Sequence, residues 1–415
     1  MAQIAPFQPY RYAQSAGDLA NLVTQPYDKI NPQMQARYLS LSDHHLVRVI
    51  LGERFDSDTE AENVYTRAAK YFNDWIEQGI LGKDGEPAFY AYFQQFAVPD
   101  SGEMLTRKGF IGLGKVEDYE ARVVHRHEQT LSGPKKDRRQ VLEHTRAHFG
   151  QIFMLYPDPE CRIDAILDEA ARSSAVATIR DEYDTVHIIY RISDPAKIAQ
   201  MQQIMADKKL LIADGHHRYE TAMAFQKDNP ELEDARFVMM TFVNMHSNGL
   251  RILATHRVLA GLPDFDPQKF FDKASQSFTI HRFDSAGTLK QLWEQTALDK
   301  VRIGVVHAGS TEVVMLERDR NGDLDVRVLH EELLQGALGI SEEQVRDEHF
   351  IKYVRGLENA ADMVENGEGQ IAFLLEPTTI QQVADTSFGG GVMPQKSTDF
   401  YPKLLTGLTI YRLEK

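Results

Sequence analysis

Short apolar runs recur along this chain with helical segments between them, and that alternation limits the available architectures more than any other feature. QIFMLY (151–156), VHIIYRI (186–192), LLIAD (210–214) and ARFVMMTFVNM (235–245) are rich in β-branched and aromatic residues and read as strands. Segments 163–173, 195–207 and 218–228 lie between or beside them and read as helices. Two longer runs, AFYAYFQQFAV (88–98) and LTRKGFIGLGKV (105–116), flank Pro99-Asp100-Ser101-Gly102 and predict a hairpin. A chain with this order is expected to be α+β, a mixed α/β protein.

Upstream, residues 4–30 carry Pro6, Pro9, Gly17 and Pro26 and read as irregular chain with one short strand. LVRVIL (46–51) is a strand candidate, and 58–80 reads as a helix with Tyr65, Ala68, Phe72 and Trp75 at helical spacing. A further helix is expected over 137–149. Downstream, RILATHRVL (251–259), 302–308, 313–318, 371–377 and LTIYRL (408–413) read as strands, and 378–385 as a helix. A chain of 415 residues exceeds what one core supports. The expected division is a 1–260 core, a 261–345 α/β module and a 346–415 segment that returns to the core.

The sharpest chemical signal lies where LLIAD ends. It runs into Gly215-His216-His217-Arg218 and then a helix. Gly215 permits a tight turn and close approach of the backbone to a ligand. The helix presents unpaired N–H groups and the positive end of its dipole, a place that phosphate favours. His216 and His217 add donors, and Arg218 can grip phosphate oxygens two at a time. Asp214 is the candidate to hold a magnesium ion or orient a hydroxyl; the alternative is a helix cap.

A second cluster, VVHRHEQTLSGPKKDR (123–138), gathers His125, Arg126, His127, Glu128, Lys135, Lys136, Asp137 and Arg138 around a Gly-Pro turn. Glu128 suits a base acting on an alcohol while the cations hold phosphates; the alternative is a solvated charged loop. A third, GGGVMPQKSTDFYPK (389–403), offers Lys396, Ser397, Thr398, Tyr401 and Lys403 after a glycine run. It resembles a phosphate cradle in kind but departs from the P-loop pattern, because Gln395 precedes Lys396 and Pro394 and Pro402 discourage a long helix.

The formal net charge of −15 disfavours a nucleic-acid polymer as partner and favours a small phosphorylated ligand. Cys161 is the one cysteine, so no intrachain disulfide forms. Residues 1–12 show no basic start followed by an apolar run, and no stretch reaches the roughly 18 apolar residues that span a bilayer. These features predict a cytoplasmic protein without a membrane partner. His125-Arg126-His127-Glu128 and His216-His217 also suggest metal ligands, though neither an H-E-x-x-H pattern nor a cysteine set accompanies them.

At these clusters the sequence resembles the domain-of-unknown-function family 1015. The resemblance rests on PYD (26–28), RHEQTLSGPKKDR (126–138), IFMLY (152–156), IADGHHRYETA (212–222) and MPQKSTDFYPKLLTG (393–407), which run nearly end to end. The D-G-H-H-R block is also similar to the phosphate-binding turn of the ParB/sulfiredoxin-like superfamily, which includes partition proteins, a sulfinic-acid reductase and free-serine kinases. The resemblance implies a ParB/sulfiredoxin-like nucleotide-binding core elaborated with an additional α/β module. It also implies that Asp214, Gly215, His216, His217 and Arg218 bind phosphate. The reductase chemistry needs a cysteine where this chain has His216.

These readings converge on a phosphotransferase. It would use ATP or ADP with magnesium on a small hydroxyl substrate, free L-serine first. Asp214, His216 and Glu128 would act at the reacting atoms. Gly215, His217, Arg218, His125, Arg126, Lys135, Arg138, Lys396, Ser397, Thr398 and Lys403 would hold phosphate. A nucleotide-binding switch without transfer and a metal-dependent hydrolase are the alternatives.

Overall fold

The computed structural model describes residues 2–99, 101–128, 132–293, 295, 297 and 299–414, with the backbone alone for 132–134. Asp100 of the predicted hairpin tip and Gln129–Leu131 of the second cluster lie outside the described residues. The chain forms two compact units, Met1–Leu250 with Pro402–Lys415, and Arg251–Tyr401.

The first unit is built on a nine-stranded sheet. In chain order its strands are β1 (Ile4–Ala5), β2 (Phe89–Ala97), β3 (Met104–Lys115), β4 (Val124–His125), β5 (Ile152–Tyr156), β6 (Ala177–Arg180), β7 (Val186–Ile192), β8 (Leu210–Asp214) and β9 (Phe237–Asn244). Across the sheet they lie β4-β8-β5-β9-β3-β2-β7-β6, with β1 on the end of β3 that β2 leaves open. β4 runs parallel to β8, and β5 to β9; the other pairs are antiparallel. The predicted hairpin is β2–β3, paired from Tyr90↔Ile111 to Ala97↔Met104. Gly112 of β3 lets the Phe89 ring in, since a Cβ there would stand 2.6 Å from its Cδ1.

Alternation along the central strands builds the core. Ile152, Met154 and Tyr156 of β5, Leu210 and Ile212 of β8, and Val238, Met240 and Phe242 of β9 share one buried face. Onto it pack α4 (Arg162–Ala170), α5 (Pro195–Met205) and α6 (His216–Asp228) through Ile163, Leu167, Met201, Met205 and Tyr219. These helices are preceded in the chain by α1 (Pro32–Leu41), α2 (Val64–Glu77) and α3 (Ser132–Thr145). A second cluster joins Phe72 and Trp75 of α2 to Val141 of α3, Phe149 and Ile410.

The second unit carries a six-stranded antiparallel sheet of β10 (His256–Leu259), β11 (Thr279–Phe283), β12 (Lys300–His307), β13 (Val313–Asp319), β14 (Ile351–Val354) and β15 (Ile371–Leu375), ordered β11-β13-β12-β15-β10-β14. The chain as a whole is mixed α/β with several sheets, as the sequence predicts.

Three local expectations are corrected. LVRVIL is not a strand: Val47–Ile50 is one helical turn, with Leu51 N–H donating to Val47 O at 2.8 Å. An apolar run this short has no period of its own, and burial of Leu46, Val49 and Ile50 against Phe72 and Trp75 decides its form. RILATHRVL is broken at Ala254-Thr255 into Arg251–Leu253, which pairs with Asp399–Tyr401, and β10. The helix expected over 137–149 is α3, which stops at Thr145 because Ala147–His148 pairs with Tyr411–Arg412.

Candidate active site

A bulge in β8 aims the first residue of the site. Ile212 stands opposite Met154, but Asp214 stands opposite Phe153, one position short of regular pairing. Regular alternation would put Asp214 on the core face with Leu210 and Ile212. The extra residue turns it to the face of Phe153, whose ring carries the Arg107 guanidinium at 4.6 Å. Lys403 Nζ waits there, 3.4 Å from Asp214 Oδ1.

Gly215 follows with φ 95°, a conformation that costs glycine little, and α6 starts at the next residue. Gly215, the N-cap of α6, has no side chain to cap the helix, and the Asp214 carboxylate turns to two cations. Arg218 folds back over Gly215. Its Nη2 donates to Asp214 Oδ2 at 2.7 Å and its Nη1 donates to the Gln151 carbonyl. Burial works against the charge of Asp214, but Lys403, Arg218 and Lys29 outweigh it and hold the carboxyl well below the usual range.

The second cluster reaches the same place. β4 lies parallel to β8 with His125 beside Leu211, so the residues after His125 run alongside the strand end. His127 Nδ1 donates to the Ile212 carbonyl at 2.7 Å, which leaves Nε2 as an acceptor 3.9 Å from Glu128 Oε1. The His127 ring meets the His216 ring edge-on at 4.7 Å, and His127 N–H points at His216 Nε2 at 3.5 Å. Burial first, and then each other's proximity for His216, keep both rings neutral by lowering their pKa. His217 is lowered too, by burial and then by Lys135. The result is a neutral imidazole pair with a carboxylate at its edge.

The remaining candidates divide. Lys135 on α3 and Arg126 both turn to Glu220 of α6, the latter at 3.8 Å, and Arg126 lies over the Tyr119 ring at 5.0 Å. His125 Nε2 meets the Arg122 carbonyl at 3.0 Å. Arg138 covers the Tyr27 ring at 4.0 Å and donates to the Ile50 carbonyl at 2.8 Å. Lys403 belongs to the first unit, whereas Lys396, Ser397 and Thr398 belong to the second. There the Lys396 carbonyl accepts from Arg257 at 3.0 Å, and the Ser397 hydroxyl donates to the Pro394 carbonyl. Sequence reasoning did not single out Lys29 or Glu220. Each adjoins a block it did mark, Lys29 following PYD and Glu220 inside IADGHHRYETA, so the signal was adjacency in the motif.

A magnesium ion held by Asp214 does not fit this donor set. Both carboxylate oxygens face cations, and a divalent ion would displace them. Among the described residues no three His, Cys, Asp or Glu side chains gather to hold a metal. No helix among them is long and apolar enough to cross a membrane.

Next to Arg218 the surface opens into a pocket, continuous with solvent, between Tyr27, α3, Phe149 and α6.

A family model described as "Protein of unknown function (DUF1015)" matches residues 4–337. No curated protein matches the sequence. Among solved structures, the fold is similar to a free serine kinase in complex with AMP, at 12% identity and TM-score 0.35, covering 69% of this chain and 89% of that one. A conserved hypothetical protein from Pyrococcus furiosus is similar at 12% identity and TM-score 0.34, covering 67% and 87%. SbnI with C-terminal truncation from Staphylococcus aureus is similar at 10% identity and TM-score 0.36, covering 72% and 87%.

Proposed function

The chain belongs to the DUF1015 family, and from the geometry of its turn we propose that it is a cytoplasmic phosphotransferase that moves a phosphoryl group from ATP or ADP to a small hydroxyl substrate, with free L-serine as the first candidate. The first unit is then a ParB/sulfiredoxin-like core. The observation that carries this reading is the meeting of a helix start that follows a glycine with a carboxylate, Glu128, through the His216–His127 ring contact. The start of α6 offers N–H groups and the dipole to a phosphate. Glu128 and His127 Nε2 offer two acceptors to a hydroxyl proton.

In this reading the donor phosphates lie on residues 215–218 and attract Lys403, Lys29, Lys135 and Arg126, whose present partners are Asp214 and Glu220. The acceptor hydroxyl oxygen attacks the terminal phosphorus. The bond from that phosphorus to the bridging oxygen of the nucleotide breaks, and the hydroxyl proton passes to Glu128. Positioning and charge stabilisation do most of the work in such a transfer. Asp214 acts as an orienting group that holds Arg218 and Lys403 in place. Magnesium would arrive with the nucleotide as its counter-ion.

The test is direct. The protein is mixed with L-serine, magnesium and either ATP or ADP, and phosphoester formation is followed by phosphorus NMR. A new phosphomonoester signal that disappears in Glu128→Gln, with nucleotide binding retained, is the expected result. Absence of both nucleotide binding and phosphoester sinks the proposal.

A further inference from the structure

The pocket beside Arg218 has a lining at odds with a charged occupant. Pro26, Ile50, Val141, Leu142 and Phe149 give it an apolar wall. Its two guanidinium groups are already engaged: Arg218 with Asp214 and the Gln151 carbonyl, Arg138 with Asp137 and the Ile50 carbonyl. Burial draws the lining imidazole of His148 down to about 4, so it is uncharged near neutrality.

One fully buried polar atom of the lining lacks a partner among the described residues. Thr221 is 5% exposed, and its hydroxyl oxygen has no hydrogen-bond partner among the described residues. A helical threonine ordinarily donates to the carbonyl one turn back, or swings about χ1 to the other rotamer. An orphaned hydroxyl in a buried place is costly unless something else meets it. Thr221 stands one helical turn beyond Arg218 on the same side of α6, so the pocket adjoins the turn proposed to hold phosphates.

We infer that this pocket is the subsite for the nucleoside part of the nucleotide, with the base against the apolar wall and the Thr221 hydroxyl hydrogen-bonded to a polar atom of the nucleoside. An uncharged, flat, largely apolar group with hydrogen-bonding edges matches a lining whose charges are committed elsewhere. The acceptor is a poorer match, because a free amino acid would bring an ammonium and a carboxylate into this apolar slot. The inference rests on the phosphotransferase reading for the presence of a nucleotide, yet the two fail separately.

ADP, adenosine and sodium tripolyphosphate are titrated calorimetrically into wild type, Thr221→Val, Thr221→Ser and Leu142→Phe. Val keeps the shape of Thr and removes the hydroxyl, Ser keeps the hydroxyl, and Phe at 142 fills the pocket from α3. The expected result is ADP binding that weakens about tenfold in Thr221→Val, as for one lost hydrogen bond, and more in Leu142→Phe. Thr221→Ser stays within about twofold of wild type, and tripolyphosphate binds all four proteins alike. Adenosine binding that depends on Thr221, without any tripolyphosphate binding, supports the pocket and removes the phosphate role of the turn. ADP that binds no tighter than tripolyphosphate, with neither changed by the variants, overturns the pocket and leaves the phosphotransferase reading standing. No binding of any of the three overturns both. Thermal melts of each variant identify any that fail to fold, and the conservative Thr221→Val and Thr221→Ser pair then decides the matter.

Discussion

Replacing Asp214 by Asn keeps the side chain's shape and removes its charge from between Arg218 and Lys403. Those cations lie 2.7 and 3.4 Å from its two oxygens, and the side chains are 15% and 10% exposed against 22% for Asp214. Removing one partner from a buried ion pair costs about 3 to 5 kcal/mol, because the survivor is left uncompensated. Since Asp214 keeps some contact with water, the lower end, about 3 kcal/mol, is expected for Asp214→Asn. At about 2 to 4 °C per kcal/mol for a unit of this size, the melting temperature falls by roughly 6 to 12 °C. Lys403→Met alone should cost less, because Arg218 still serves the carboxylate. The double variant should recover about 1 kcal/mol relative to the sum of the two, the coupling of groups in one network. The surplus positive charge in Asp214→Asn also makes a second readout. Inorganic phosphate or ADP, if it seats on the turn, raises the melting temperature of the variant more than that of wild type. Denaturant and thermal melts at pH 7, with and without phosphate, measure all of this. A variant within about 0.5 kcal/mol of wild type, or strictly additive effects, would refute the assignment of Asp214 as the hub of this cation cluster.

Three further outcomes are expected. Glu128→Gln should lower phosphoryl transfer about 10²- to 10⁴-fold, as for a lost general base, with ADP affinity nearly unchanged; equal turnover would move the base elsewhere, His127 first. Gly215→Ala sets a Cβ at φ 95° and 3.0 Å from Arg218 Nη2, which should cost about 1 to 3 kcal/mol by denaturant titration. Acid should weaken both units below pH 6.5. Burial lowers His45 in the first unit and His256 in the second from 6.5 to about 4, so the unfolded chain takes up their protons first as pH falls. Stability is therefore complete above 6.5 and declines between 6.5 and about 4, at up to about 1.4 kcal/mol per pH unit for each histidine. A melting temperature that stays flat from pH 7 to 5 would contradict this.

The sequence made the strands of the first sheet legible because each is an apolar run with β-branched or aromatic residues bounded by turn signals. β5, β7, β8 and β9 fall within their predicted spans. What it did not make legible follows from tertiary contacts. The turn at Val47–Ile50 buries Val47, Val49 and Ile50 against α2 and its neighbours, and a run this short carries no period. The strand predicted over 408–413 shrinks to Tyr411–Arg412, which pairs with Ala147–His148, while Ile410 before it bridges to Tyr10 instead. At the site, motif and position were readable: strand, Asp, Gly, helix. The commitments of the side chains were not. Nothing in D-G-H-H-R says that Arg218 folds back onto Asp214, because that depends on a one-residue bulge at Ala213 and on the Gln151 carbonyl from a neighbouring strand's approach. The approach of Lys403 to Asp214, which are far apart in sequence, was likewise invisible to local reading.

The first unit is interrupted in sequence, and the interruption sets an order on its making. The Pro402 carbonyl that receives the Arg107 guanidinium and the Lys403 ammonium that faces Asp214 both follow all of Arg251–Tyr401 in the chain. At a ribosomal pace of about 5 to 20 residues per second, synthesis of that intervening stretch takes roughly 8 to 30 s. Any sheet formed in that interval lacks the Pro402 acceptor of Arg107, which still has Gln94, and the Lys403 cation at the turn. A chaperone that dwells on the half-finished sheet, or a slowly translated stretch within 251–401, would thus act on the same few polar groups that the finished protein places around its turn.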